Sequence, residues 1–203
     1  LQKILDMLDN PDSEIYTKGY NNYSSVISSI NTYRTDVVEN NMNLTADKQS
    51  QVDEMTATLQ GYIDSLYLFK AADGSTTVIS GRYIYGLKEK LTKSKFLSDY
   101  VTYENVTVSV TGAKQYLGTG AKVTVTTTDG TVVGTYYIVI YGDIDGNGMI
   151  NYNDSTALSS ALNGDGVSGA VKKAANLTGR DVTMNDVNVI AQAADKNVAI
   201  DQS

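Results

Sequence analysis

The sequence predicts a multidomain α + β protein with a three-helix bundle over residues 1–70, a small β-sandwich-like module over 75–141, and two loop–helix repeats over 142–203. Three observations predict it. Apolar residues recur at spacings of three and four before residue 70. The period changes to two after residue 75. After residue 142, an oxygen-rich loop containing glycine leads into a short amphipathic segment, and an eroded copy follows.

Ile4, Leu5 and Leu8 form a first apolar stripe that ends before Pro11. Asp12 or Ser13 is a suitable N-cap for a second, longer helix over 13–40. Its face reads Ile15, Tyr16, Tyr20, Tyr23, Val26, Ile27, Ile30, Tyr33, Val37 and Val38. Asn40 to Asn43 breaks the pattern, and Thr45 can cap a third helix. Val52, Met55, Leu59, Tyr62, Ile63, Leu66 and Phe69 line that helix. Three such helices with short connections imply an up-down bundle. The tyrosines read as core or core edge, with a sugar-stacking platform as the functional alternative.

Ala71 to Ser75 reads as a linker. Thr76–Ile79, Tyr83–Tyr85, Val106–Val110, Lys122–Thr126 and Val132–Ile140 read as strands. A helical turn over Leu91–Leu97 interrupts them. Asp129-Gly130 marks a hairpin, with Val123 and Val125 facing inward. The run Tyr137–Tyr141 is apolar on both faces, as in a central strand or one buried against the next module.

The densest chemical signal is Asp143-Ile-Asp145-Gly-Asn147-Gly148-Met149-Ile-Asn151-Tyr152-Asn153-Asp154. Oxygen side chains stand at loop positions 1, 3, 5, 9 and 12, with glycine at 6. That is the ligand order of an EF-hand calcium loop, since calcium takes about six to eight hard oxygens. Asp143, Asp145, Asn147 and Asp154 offer side-chain oxygens and Met149 its carbonyl; Asn151 offers oxygen directly or through water. Position 12 is Asp rather than Glu, and a strand rather than a helix precedes the loop. Asp186 lies 32 residues after Asp154, and each opens a helix it is placed to cap. The second loop is one residue shorter, with Asn176, Thr178, Asp181, Thr183 and Asp186 as candidate ligands. Arg180 stands among them, which argues for weaker binding or for an arginine in place of the ion.

A calcium loop followed but not preceded by a helix, and then repeated, resembles the dockerins over residues 142–203. The resemblance implies a noncatalytic, calcium-ordered module that docks its parent protein onto a cohesin domain, as in cellulosomes and related secreted bacterial assemblies. It implies partner contacts from Tyr152, Asn153, Ser159 and Ser160 in the first repeat. Their counterparts are Met184, Asn185, Ala191 and Gln192. The two sets differ in chemistry, so one binding orientation is expected. The helical segment is similar to FIVAR modules, and residues 75–141 look like the X-type modules that precede some dockerins. Almost no linker separates Tyr141 from Asp143, so a rigid pair is expected.

Composition narrows the alternatives. With no cysteine or histidine, most zinc sites, the Ser-His-Asp triad and thiol nucleophiles are removed. A net charge of −7 argues against nucleic acid as a partner. No apolar run is long enough to span a membrane. Carboxylates such as Asp53, Glu54 and Glu89 read as solvated charges on helical surfaces, so no enzyme is expected. Leu1 opens inside a helical pattern, as in a piece of a longer extracellular protein. The alternative function is a carbohydrate-binding or adhesin fragment in which calcium is purely structural.

Overall fold

The computed structural model describes residues 1, 19–41, 45–179, 181–196 and 198–202. The helix expected at Ile4–Leu8, the cap at Asp12 or Ser13 and the break at Met42 and Asn43 lie outside them. The protein is mixed α/β, and its chain divides into two compact units. One is Leu1–Phe69 with Tyr103–Val106; the other is Lys70–Thr102 with Thr107–Ser203. The division thus differs from the three segments read from the sequence: the β-rich and loop–helix segments share one unit.

In the first unit, the described part of the long helix begins with α1, Tyr23–Tyr33. A π turn, Arg34–Val38, and a 3-10 turn, Glu39–Asn41, continue it. Val26 and Ile30 are buried four residues apart, as the spacing requires. The wider π turn carries the buried face on to Val38, leaving Val37 half-buried. α2, Gln49–Asp64, adds Met55 and Leu59 to the same core. Thr45 caps only a 3-10 turn, Ala46–Lys48, and gives its hydroxyl to the Asp47 carboxylate. Tyr20, Tyr33 and Tyr62 pack half-buried against the core, with the Tyr33 and Tyr62 rings edge to face at 6.1 Å. Phe69, expected on the helical face, lies instead in a strand. The reason is a pair of long-range hydrogen bonds. Asn22 and Asn21 accept the Tyr67 and Phe69 N–H groups at 3.1 and 2.6 Å, claiming amides that a helix would need.

That strand is β1, Leu68–Ala71, which forms a two-stranded sheet with β4, Val101–Glu104. Neither strand was legible in the sequence. α3, Lys93–Asp99, lies between them in sequence and is capped by the Thr92 hydroxyl. The remaining strands are β2, Val78–Ser80; β3, Tyr83–Tyr85; β5, Val106–Thr111; β6, Lys122–Thr127; and β7, Val132–Ile138. They form one five-stranded sheet in the order β2-β3-β7-β6-β5. The pairing therefore gives a five-stranded and a two-stranded sheet, not two sheets of similar size.

β7 is central. It pairs antiparallel with β6 and parallel with β3, in the register Tyr83↔Tyr137 and Ile84↔Ile138. The alternation then separates two faces. Val123 and Val125 are buried along β6, as expected. Ile84 and Ile138 are fully buried on one side of the sheet. Tyr83, Tyr85, Tyr137, Val139 and Tyr141 belong to the core on the other side. That core is completed by three helices: α4, Tyr152–Leu162; α5, Gly169–Ala175; and α6, Met184–Lys196. Leu158, Ala174 and Ile190 are fully buried in it. The apolar run at the end of β7 is thus covered on both faces within one unit. No helix among the described residues is long and apolar enough to cross a membrane.

A shared core has a testable consequence. Leu158→Ala empties a fully buried site and is expected to cost about 2–5 kcal/mol. In urea, the near-UV tyrosine signal and the far-UV helical signal of the second unit should move together to a lower midpoint. A tyrosine transition left at the parent midpoint would show separate cores.

Candidate metal centre

The loop begins shortly after β7, with residues 139–142 between them. Gly142 turns the chain with a positive φ of 91°, and a Cβ there would lie 2.6 Å from the Ile200 side chain. Asp143 and Asp154 are fully buried, and Asp145 is exposed. One oxygen from each lies within 4.8 Å of the others. This is the single such acidic group among the described residues.

Backbone amides hold each carboxylate in place. Asp143 accepts from Thr119 at 2.7 Å, Asn147 at 3.1 Å and Gly148 at 3.2 Å. Asp145 accepts from the Asn147 backbone and side chain at 2.9 and 2.7 Å. Asp154 accepts from Ile144, Asp145 and Asn151 at 2.8, 3.1 and 2.9 Å. The Asn147 side-chain oxygen accepts from Met149 at 2.8 Å. Asp154 does not cap α4 itself. Asn151 is the N-cap, and Asp154 is the reciprocal member of a capping box.

Charge is not balanced by this network. The ion pairs among the described residues lie elsewhere. Burial, aided by the neighbouring Asp154 and Asp145 charges, pushes the Asp143 carboxyl up to about 6 despite its amide donors. Burial also raises Asp154. Hard oxygens, sharp glycine turns and uncompensated negative charge fit a hard divalent cation. Asp143, Asp145, Asn147, Met149, Asn151 and Asp154 are the residues that can hold it.

The second loop repeats the backbone scheme. Asp186 is buried and accepts from Leu177 and Thr178 at 2.9 Å, then from Thr183 at 2.8 Å. Those donors match Ile144, Asp145 and Asn151 around Asp154. Two further donors are new. The Thr178 and Thr183 hydroxyls reach Asp186 at 3.0 and 3.3 Å. Burial pushes the Asp186 carboxyl up, but the amides of Thr183 and Leu177 and both Thr178 donors outweigh it, and the net shift is down. Asn176 accepts from Gly179 at 3.3 Å, and Asp181 is exposed. Arg180 lies outside the described residues. Like Asp154, Asp186 is the third residue of its helix rather than its cap.

The residues expected at a partner surface lie on α4 and α6. Tyr152, Asn153, Ser160, Met184, Asn185 and Gln192 are exposed, while Ser159 and Ala191 are half-buried. The Tyr152 hydroxyl, at the start of α4, donates to Asp195, near the end of α6, at 3.1 Å. Start meets end, as in antiparallel helices.

Sequence reasoning missed the groups that brace the first loop from the β-rich segment. Thr119 donates its amide to Asp143, while its hydroxyl donates to the Ile140 carbonyl and accepts from the Ile140 amide. Lys114 donates to the Asp145 carbonyl at 3.2 Å. Glu89 is not on a helical surface; it is half-buried between β3 and α3 and accepts from Ile150. Gly118 sits where a Cβ would be 2.2 Å from the Gly146 carbonyl oxygen and 2.8 Å from the Gly148 nitrogen. The Leu117–Gly120 run suggests a tight turn, but nothing in it names the distant loop that packs there.

Comparison with protein-family models, with curated proteins and with solved structures finds no match.

Two predictions follow from the packing and the charge. Gly118→Ala forces backbone apart at the loop and is expected to destabilise the second unit by about 2–4 kcal/mol, measured by urea unfolding. An unchanged midpoint would refute the close packing. The second concerns pH without metal. A folded value near 6 against the ordinary 3.8 makes ionisation costly to the fold. The fold keeps its full stability from this group below about pH 4 and loses it through the interval up to pH 6, and the loss amounts to roughly 3 kcal/mol by pH 7. In chelator, melting of the second unit should therefore be higher at pH 5 than at pH 7. The opposite order would contradict the buried charge.

Proposed function

We propose that the second unit carries a calcium-ordered docking module with one ion, held by the first loop. The observation that carries this reading is the repeated hydrogen-bond register. Asp154 and Asp186 collect the same three backbone amides just inside the starts of two antiparallel helices. A duplicated loop–helix unit with one oxygen-rich copy and one eroded copy is the arrangement read from the sequence as dockerin-like. Calcium, when bound, supplies positive charge to Asp143, Asp145 and Asp154. The chain's own groups do the rest: the amides orient the carboxylates, and the glycines let the backbone close around them.

In the second loop, the two threonine hydroxyls take the place of a cation at Asp186, so α6 is positioned without metal. Tyr152 and Asn153 on α4 and Met184, Asn185 and Gln192 on α6 offer an exposed face to a cohesin-type domain of another extracellular protein. Ser159, Ser160 and Ala191 border it. The reading is noncatalytic. The glycan-binding alternative has less support, because Tyr20, Tyr33, Tyr62, Tyr83, Tyr85 and Tyr141 pack against cores.

Native mass spectrometry of the full chain should find one calcium ion, lost in chelator and lost in Asp143→Asn. Asp186→Asn should leave the count at one. Two ions would restore the second loop as a site, and none would sink the reading. Because binding the folded state stabilises it, calcium at about a hundredfold over its Kd should add roughly 3 kcal/mol to the second unit. Isothermal titration against a panel of cohesin domains, with and without chelator, tests the partner.

A further inference from the structure

Two hydrogen bonds cross to the metal loop at its midpoint. Glu89 accepts the Ile150 N–H at 2.8 Å. The next residue, Lys90, donates its own N–H to the Gly148 carbonyl at 2.8 Å. Gly148 and Ile150 flank Met149, so both neighbouring backbone groups are held by one short segment. That segment is itself anchored. Leu87 and Leu91, on either side of it, are 0% and 4% exposed. Lys90 takes a left-handed φ of 55°, uncommon for a residue with a Cβ.

We propose that Glu89 is a positioning residue for the metal loop: it fixes the peptide groups around Met149 and so aims the Met149 carbonyl, the backbone ligand of the calcium set. The inference rests on the calcium reading above and extends it to a residue of the β-rich segment, well outside the loop. The chemistry favours this assignment over a merely structural contact. A backbone carbonyl has no side-chain freedom: the Met149 carbonyl shares one rigid plane with the Ile150 N–H, so its direction depends on that peptide and on the one before it. Lys90 holds one and Glu89 the other. A carboxylate is also the stronger kind of acceptor for a single N–H, because the bond is charge-assisted.

The test is calcium titration calorimetry on the full chain with Glu89→Ala and Glu89→Gln. Both variants are also melted in chelator, and amide exchange is followed at Ile150. Glu89→Ala should weaken calcium binding about tenfold, the size expected for losing one hydrogen bond to a charged group. Glu89→Gln keeps an acceptor oxygen and should recover affinity to within about threefold. Ile150 should exchange fast in Glu89→Ala and slowly in Glu89→Gln. A purely structural role would instead lower the metal-free melting temperature and leave affinity unchanged. Affinity within twofold of the parent in Glu89→Ala overturns the inference and leaves the calcium reading standing. Equal loss in both variants overturns it too, since charge rather than the accepted bond would then be responsible. If the parent itself binds no calcium, both readings fall together.

Discussion

Two carboxylates held away from water, Asp143 and Asp154, set the terms for the second unit. An ionised carboxylate in a low-dielectric interior is costly unless something compensates it. Here the first compensation is backbone: each accepts three N–H groups. Amide dipoles lower the cost without cancelling the charge, which is why Asp143 remains raised to about 6. Either a proton or a cation completes the balance. The local architecture serves that arrangement. Glycines at 142, 146 and 148 adopt positive φ so that the chain can bend around the carboxylates. Gly118 lacks a side chain because the loop backbone occupies the space.

The second repeat starts from the same carboxylate and solves the problem differently. Asp186 gains two hydroxyl donors where the first loop has Asp145 and Asn151. Threonine brings a proton to the buried oxygen; aspartate brings another negative charge. That exchange converts a site with excess charge into one satisfied by hydrogen bonds, and the net shift of Asp186 is accordingly downward. The helix that follows is placed the same way in both repeats, because the backbone donors are common to both. Divergence of two or three side chains therefore changes the charge of the site while leaving the fold around it in place.

Much of this was legible in the sequence where a local rule decides. Glycine and oxygen spacing located Asp143–Asp154, and the period-two pattern of Val123 and Val125 located β6. The apolar run at Tyr137–Tyr141 marked a segment covered on both faces; β7 is central but ends at Ile138, so the strand stops short of the run's end. What was not legible depends on distant partners. Phe69 followed helical spacing, yet Asn21 claims its amide from 48 residues away. Glu89 looked like a solvated charge, because nothing near it in sequence mentions Ile150. Helix caps were misread by a few residues for a related reason: an aspartate at the third helical position and one at the N-cap give similar sequence signals, and only the hydrogen bonds to Asp154 and Asp186 separate them.

The loop is therefore not an appendage of the sheet. Thr119 joins them at one residue: its hydroxyl exchanges hydrogen bonds with both backbone groups of Ile140, and its amide goes to Asp143. On the far side of the junction, Gln202 brackets Tyr141, accepting its N–H at 2.7 Å and donating to its carbonyl at 2.9 Å. The segment that follows β7 is thus pinned by one loop from within the β-rich segment and by the tail after α6. A group that neutralises Asp143 relieves charge at a point bonded directly to the sheet, whose covering helices share its core. The stabilisation it brings then belongs to the folding of the unit as a whole, not to a local ordering of twelve residues, because without it the buried charge sits in the middle of that shared structure.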